Sequence, residues 1–178
     1  MKVSLFITCL ADTFFPRTGI AAVKVLEHLG CEVDFPDAQT CCGQPMWNTG
    51  YRDDTRALAK RMIEVFEASE VVVTPSGSCA AMVRDYYAEM FEHDPAWHGR
   101  AKALADKTYE FVEFLDKVLK VDLGKVGVKW DGDVTYHYSC HLRGIGIRDE
   151  AVKLMQQIDG LNLRLEGTGE GAVDEAIQ

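Results

Sequence analysis

The first 92 residues alternate between short apolar runs and longer amphipathic segments, and this alternation constrains the fold more than any other feature of the sequence. Three runs rich in β-branched and aromatic residues predict buried strands, and segments with helical spacing follow them. The predicted strands are 3–8, 31–35 and 70–74, and the predicted helices are 16–29, 53–68 and 79–92. This order is typical of an α/β fold with a mainly parallel sheet flanked by helices.

The later part of the chain repeats the pattern with which the first half of the chain begins. We predict a connector with a helical start at 94–107, a helix at 108–120, a polar loop or hairpin at 125–133, a strand at 134–139 and a helix at 149–158. The strand at 134–139 ends in Cys140, as the first strand ends in Cys9, which indicates the start of a pseudo-repeat. The predicted domains are therefore 1–106 and a partial second half, 107–178.

Composition narrows the possible functions. The net charge of −9 argues against a general role in nucleic-acid binding, because phosphate binding requires a basic face. The sequence contains no apolar run of the ~20 residues that a membrane helix needs and no recognisable signal peptide. We therefore expect a cytoplasmic protein, in which thiols stay reduced.

Six cysteines are unusual for a chain in a reducing compartment, and they indicate metal or redox chemistry. Cys9, the Cys41-Cys42 pair and Cys79 each follow one of the first three predicted strands. Because the carboxyl ends of neighbouring parallel strands share one edge, these four cysteines should converge there. Buried structural thiols are the alternative, and for Cys31, which lies outside the pattern, a core position is the preferred interpretation.

Four thiolates suit a [4Fe–4S] cluster, and we predict Cys9, Cys41, Cys42 and Cys79 as its ligands. Gly43 lets the backbone approach a metal closely, and Pro45 stiffens the loop. Zinc also takes four thiolates, so a zinc-binding structural or scaffold module is the alternative. A metal-free, redox-sensing thiol protein is a third possibility.

The segment Cys41-Cys42-Gly43-Gln44-Pro45 and the wide cysteine spacing resemble the cysteine-rich CCG-domain proteins, which include heterodisulfide reductase B-type subunits and the iron–sulfur subunit of glycolate oxidase. Segments 6–10, 74–79 and 138–141 resemble the lactate utilization protein A subgroup most closely. The resemblance implies an iron–sulfur electron-transfer subunit of an oxidoreductase that acts on L-lactate or a related 2-hydroxy acid such as glycolate. It also implies two partners, a larger ferredoxin-like iron–sulfur subunit and a third small subunit.

The sequence departs from that pattern at two places. Met82 stands where the heterodisulfide reductase motif has a further cysteine, so four-thiolate ligation is expected in the first half. A second CCG motif should fall near residue 172, where this chain has Ala172-Val173, and we interpret the end as truncated or diverged. Cys140 is then a possible second site without visible partner cysteines. An open sheet edge after Val134 would favour a homodimer or a partner chain.

Overall fold

The computed structural model describes residues 1–165 and divides the chain into two compact units, Met1–Phe111 and a second unit that begins at Val112. The predicted division of the sequence after residue 106 stays a prediction. Among the described residues, none of the helices combines the length and the apolar character needed to cross a bilayer.

The first unit contains a four-stranded parallel sheet with the order β2-β1-β3-β4. Its strands are β1 (Lys2–Leu5), β2 (Glu32–Asp34), β3 (Val72–Thr74) and β4 (Thr108–Glu110). β1 pairs in parallel with β2 on one side and with β3 on the other, and β3 pairs in parallel with β4. The predicted α/β fold with a mainly parallel sheet is confirmed.

Helices connect and cover these strands. They are α1 (Cys9–Phe14), α2 (Pro16–His28), α3 (Gln44–Asn48), α4 (Arg52–Phe66), α5 (Gly77–Ala81), α6 (Tyr87–Met90) and α7 (Pro95–Asp106), and a π-helical turn (Met82–Tyr86) joins α5 to α6. Pro16 begins α2 at a position where a missing N–H costs nothing. α4 buries Ala59, Met62, Ile63 and Phe66, a spacing of three and four residues that places them on one face.

The core of the first unit lies between the sheet and helices α4 to α7. Phe6 from the segment after β1 packs its ring against Phe66 of α4, with ring centroids 5.8 Å apart. Cys42 and Cys79 belong to the same buried cluster as these aromatic rings. Two of the four cysteines that were predicted to bind metal are thus part of the packed core.

The second unit contains two parallel strands joined through helices. Its elements are α8 (Phe111–Glu113), which begins at the end of the first unit, a π-helical turn (Phe114–Val118), α9 (Leu123–Val126), β5 (Lys129–Tyr136), α10 (Cys140–Gly144), α11 (Glu150–Met155) and β6 (Asp159–Leu165). β5 and β6 form a parallel pair. Strand, cysteine, helix and parallel strand follow one another here as they do at the start of the chain.

Several segments differ from the sequence prediction. The segment predicted as a connector is the helix α7, because Pro95 begins it and the Asp94 carboxylate caps it by accepting from the Ala96 N–H. The segment predicted as a helix from residue 108 begins with β4, which pairs with β3. β5 begins at Lys129, inside the segment predicted as a polar loop or hairpin. The short helices α1, α3, α9 and α10 were not predicted.

Candidate metal centre

The four predicted ligands lie at the switch point of the sheet. The chain passes from β1 to β2 on one side and continues to β3 on the other, so the connections that leave β1 and β3 diverge and open a crevice at their carboxyl ends. Cys9 follows β1, the Cys41-Cys42 pair follows β2 and Cys79 follows β3. The prediction that these cysteines converge at one edge of the sheet is confirmed by the distances between their sulfurs.

The sulfurs form two close pairs. Cys9 Sγ lies 3.4 Å from Cys41 Sγ, and Cys42 Sγ lies 3.3 Å from Cys79 Sγ. Cys9 is exposed, Cys41 is half-buried, and Cys42 and Cys79 are buried. All six cysteines of the chain are free thiols. The site therefore extends from the surface at Cys9 to the core at Cys42.

All four cysteines line one cavity of about 300 Å³. Its walls also include Leu10, Phe15, Pro45, Pro75, Ser76 and Ser78. Leu10 and Phe15 are 63% and 67% exposed, so the cavity opens to solvent beside large apolar side chains.

N-terminal capping of two helices positions the backbones of Cys9 and Cys79. The Thr8 hydroxyl accepts from the Ala11 N–H and caps α1, whose first residue is Cys9. The Ser76 hydroxyl accepts from the Cys79 N–H, at 3.4 Å, and caps α5. Helix N-termini carry partial positive charge, so these cysteines lie where a negatively charged group is favoured.

Gly43 makes the turn between the cysteine pair and α3. Its φ is +87°, in the left-handed region that favours glycine, and a Cβ built on it would lie 3.0 Å from Thr55 Cγ2. The Gly43 N–H donates to Cys41 Sγ across 3.4 Å. The glycine that follows the two cysteines is therefore needed both for its backbone conformation and for its close approach to α4.

Gln39 joins the loop before the cysteine pair to the end of β1. Its Nε2 donates to the carbonyls of Leu5 and Pro36, at 3.1 and 3.0 Å, and its Oε1 accepts from the Ile7 N–H at 2.9 Å. Two of these bonds continue the backbone pairing of β1 beyond its last residue. They fix the approach of the Cys41 loop to the segment that leads to Cys9.

Tyr87 supports the same loop from the core. Its side chain is fully buried, and its hydroxyl donates to the Cys42 carbonyl at 2.9 Å. Burial, together with negative charge on the nearby cysteine sulfurs, raises the pKa of Tyr87 well above its ordinary value. The phenol therefore stays neutral and keeps its proton for this hydrogen bond.

Hydrogen bonds among the four sulfurs give the cysteines different pKa values. The neighbouring Cys42 side chain lowers the pKa of Cys41 to about 5, and the hydrogen bonds from the Gly43 N–H and the Cys9 thiol act in the same direction against the effect of burial. Cys42 also lowers the pKa of Cys79, with help from the Ser76 hydroxyl. Burial and the bond to Cys41 raise the pKa of Cys9 to about 11. The neighbouring sulfurs of Cys41 and Cys79, together with burial, raise the pKa of Cys42.

The pKa values of Cys41 and Cys79 are therefore lowered, and each of these sulfurs has a thiol neighbour, Cys9 for Cys41 and Cys42 for Cys79. Thiolates are the form in which cysteine binds metal, and the remaining protons leave when a metal binds. The four-sulfur donor set fits a [4Fe–4S] cluster and also a four-coordinate zinc ion. Among the described residues, no three or more histidine, cysteine or acidic side chains are already arranged around a single metal-ion position.

The other predicted positions lie elsewhere. Cys31 is buried just before β2, and burial raises its pKa. Met82 is fully buried in the same core cluster as Cys42 and Cys79. Cys140 is exposed and begins α10 in the second unit, and its role as a second site stays a prediction. The position of the expected second CCG motif, Ala172-Val173, lies outside the described residues.

A larger groove of about 510 Å³ lies along α4, but its chemistry is that of a surface. The Arg52 guanidinium stacks on the Trp47 ring, 3.5 Å from its centroid, and Lys60 pairs with Asp94 at 3.8 Å. The lining of the groove also includes Glu89 and Glu92. The groove is thus lined by both basic and acidic side chains, and Arg52 and Lys60 already have partners. It does not contain the cysteine sulfurs that line the smaller cavity.

Sequence reasoning missed the supporting side chains Gln39, Ser76 and Tyr87. The serine has a recognisable signal, because it precedes a helix start. The other two act on backbone groups that are distant in sequence, and no local pattern marks them.

Residues 3–84, which include all four convergent cysteines, match the family model described as "CCG: Cysteine-rich domain". The fold and the group of four convergent cysteines thus define a cysteine-rich domain protein of the CCG class. The chain is 50% identical over 165 residues to "Lactate utilization protein A 2" of Bacillus cereus (strain Q1), a match that covers 92% of this chain and 67% of that relative. It is 51% identical over 164 residues to "Lactate utilization protein A" of Geobacillus sp. (strain WCH70), covering 92% and 68%. The chain belongs to the lactate utilization protein A family.

Proposed function

We propose that this chain is the iron–sulfur electron-transfer subunit of an oxidoreductase that acts on L-lactate or a related 2-hydroxy acid. The observation that carries the proposal is the convergence of four cysteine sulfurs, in two pairs at 3.3 and 3.4 Å, on one cavity at the switch point of a parallel sheet. The substrate class comes from the names of the relatives, which are lactate utilization proteins.

In this proposal, Cys9, Cys41, Cys42 and Cys79 hold a [4Fe–4S] cluster, which supplies reversible one-electron transfer when bound. The cavity of about 300 Å³ leaves room beside the four sulfurs for a group larger than a single ion. The chain's own residues would then hold the thiolates, donate N–H groups to them and keep the inner sulfurs dry in the core.

Partners are required because a one-electron centre does not by itself take two electrons from a hydroxy acid. The family resemblance supplies candidates, a ferredoxin-like iron–sulfur subunit and a third small subunit. Exposed Leu10 and Phe15 beside Cys9 support a docking face next to the site. We place this activity in the cytoplasm, where the six free cysteines would stay reduced.

Reversible reduction tests the electron-transfer role. The protein is purified without oxygen, reduced stepwise with dithionite and reoxidised, while visible absorbance and electron paramagnetic resonance are recorded. The proposal predicts brown protein whose absorbance falls on reduction and returns on reoxidation. A cluster that cannot be reduced and reoxidised without loss of iron would contradict an electron-transfer role.

A zinc-binding structural module is the second candidate, and the four-thiol donor set is the observation in its favour. Zinc has no redox chemistry and gives no visible colour. Colourless protein with one tightly bound zinc per chain, unchanged by dithionite, would establish this alternative instead.

A further inference from the structure

The peptide between Cys42 and Gly43 is hydrogen-bonded at both of its polar groups. Its carbonyl accepts from the Tyr87 hydroxyl at 2.9 Å, and its N–H donates to Cys41 Sγ at 3.4 Å. The C=O and N–H of a trans peptide point in opposite directions within one rigid plane. A group that fixes the carbonyl therefore also fixes the direction of the N–H toward the sulfur.

The two hydrogen bonds also reinforce each other electronically. A carbonyl that accepts a hydrogen bond polarises its peptide, and this makes the N–H of the same peptide a stronger donor. Hydrogen bonds to a cluster's sulfur atoms are among the factors that set its reduction potential, and a donor stabilises the more negative, reduced state. The phenol of Tyr87 can thus influence Cys41 without touching it.

The placement of Tyr87 is suited to such a role. It begins α6 directly after the π-helical turn, and its ring is fully buried in the core that also contains Cys42 and Cys79. π-helical turns are rare and occur frequently at functional sites. The tyrosine approaches the cysteine loop from inside the protein, where water does not compete for the hydrogen bond.

We infer that Tyr87 is a positioning residue that acts on the Cys41 sulfur through the Cys42–Gly43 peptide and raises the reduction potential of the group that the four cysteines hold. This inference rests on the proposed function for its effect on potential. Its structural part, the anchoring of the Gly43 N–H, is independent of any bound cluster.

Tyr87→Phe removes the hydroxyl and keeps the ring that packs in the core. Tyr86→Phe is the matched control, because Tyr86 is the neighbouring, half-buried tyrosine and its ring packs against Trp47 with centroids 5.9 Å apart. If Tyr87 only fills space, both variants behave like the wild type. If its hydroxyl anchors the peptide, only Tyr87→Phe changes the site.

The experiment has two arms. In the cluster-loaded protein, a redox titration followed by electron paramagnetic resonance should give a more negative midpoint potential for Tyr87→Phe at unchanged iron content. In the metal-free, reduced protein, hydrogen exchange of the Gly43 amide should be roughly fivefold faster, the factor expected from one buried hydrogen bond. Tyr86→Phe should change neither value.

Unchanged potential and unchanged Gly43 exchange in Tyr87→Phe, or equal changes in both variants, would overturn the inference. A wild-type protein that holds no iron and sulfide would refute the proposed function instead, and the exchange arm would still decide whether Tyr87 anchors the peptide. If Tyr87→Phe does not fold, 2,3-difluorotyrosine at position 87 replaces it. This more acidic phenol is a stronger donor, so the inference requires a less negative potential, and an unchanged potential contradicts it.

Discussion

At the scale of single residues, the turn after the cysteine pair depends on Gly43, which has a φ of +87° and lies directly against Thr55 of α4. A side chain here meets two independent obstacles. The left-handed conformation costs an L-residue roughly 1–2 kcal/mol, and the new Cβ would have to displace a buried threonine methyl group at 3.0 Å. The glycine thus allows the two cysteines to face the cavity while the chain turns directly into α3.

Gly43→Ala should therefore lower the free energy of unfolding by about 1–3 kcal/mol, measured by chemical denaturation of the metal-free protein. Gly99→Ala is the control. Gly99 lies inside α7 with open space around it, so alanine there should stabilise the helix by about 0.5–1 kcal/mol. Equal effects of the two variants would show that the turn does not need glycine.

Cys31 and Cys42 are both buried, but only Cys42 faces the cavity with other sulfurs. We predict that Cys31→Ala leaves the iron content unchanged and costs about 1 kcal/mol of stability through lost packing. Cys42→Ala should abolish iron binding and also lower the melting temperature, because cluster binding contributes folding free energy. Iron analysis and thermal unfolding check both statements, and equal iron loss in the two variants would disprove the ligand assignment.

At the scale of elements, the structure brings the β1 and β2 connections together through the side chain of Gln39 rather than through further strand pairing. Gln39→Ala removes three hydrogen bonds and leaves the Ile7 N–H without this acceptor. We expect a loss of about 1–3 kcal/mol in chemical unfolding. Gln156→Ala, an exposed glutamine at the end of α11, is the control and should change stability by less than about 0.5 kcal/mol. If Gln39→Ala left the free energy of unfolding unchanged, other contacts would have to hold the loop.

The first turn of α11 contains a buried carboxylate, Glu150. Lys117 Nζ lies 2.7 Å from Glu150 Oε1, and the Arg148 N–H donates to Glu150 Oε2 at 2.6 Å. Burial alone would raise the pKa of Glu150, but the lysine and the backbone N–H donors lower it below its ordinary value. Because the folded-state pKa is depressed, the resulting stability is present above the unfolded pKa of ~4.3 and is lost as the pH falls through the folded value.

Glu150→Gln should thus be less stable than the wild type by about 1–2 kcal/mol at pH 7, and this difference should shrink as the pH falls below ~4.3. Chemical unfolding at a series of pH values measures it. Lys153→Met breaks the exposed pair with Asp149 and should cost no more than about 1 kcal/mol. If the stability difference between wild type and Glu150→Gln grew on acidification, the folded-state pKa of Glu150 could not be lowered.

Most of the elements that position the site could be predicted from the sequence, and the exceptions have physical reasons. The strands after which the cysteines lie are apolar runs, and helices α2 and α4 have clear periodicity, so the convergence of Cys9, Cys41, Cys42 and Cys79 followed from the order of elements. α1 and α3 are six and five residues long, too short for a periodic pattern. β4 has three residues and depends on its pairing with β3, a tertiary contact that local sequence does not encode.

The supporting side chains were beyond sequence reasoning for a similar reason. Gln39 and Tyr87 act through bonds that join residues 32 to 45 positions apart. Glutamine in a loop and tyrosine in a helix are common, and nothing in their neighbours marks these two. Only the folded chain shows that they hold the cysteine loop from its two sides.

At the scale of the whole molecule, one arrangement recurs in both units. In each, a parallel strand leads to a cysteine at the start of a short helix, with Cys9 at the start of α1 and Cys140 at the start of α10. In the first unit this arrangement is joined by three further cysteines that line a cavity. The predicted homodimer or partner contact through residues after Val134 stays a prediction, which sedimentation of the purified chain would test.

Metal analysis of protein purified without oxygen decides whether the four convergent cysteines hold an iron–sulfur cluster. We predict brown protein that contains iron and acid-labile sulfide in equal amounts, close to four of each per chain as a [4Fe–4S] cluster requires, with little zinc. Colourless protein with one zinc and no sulfide per chain, or with no metal at all after purification without oxygen, would contradict the presence of this cluster.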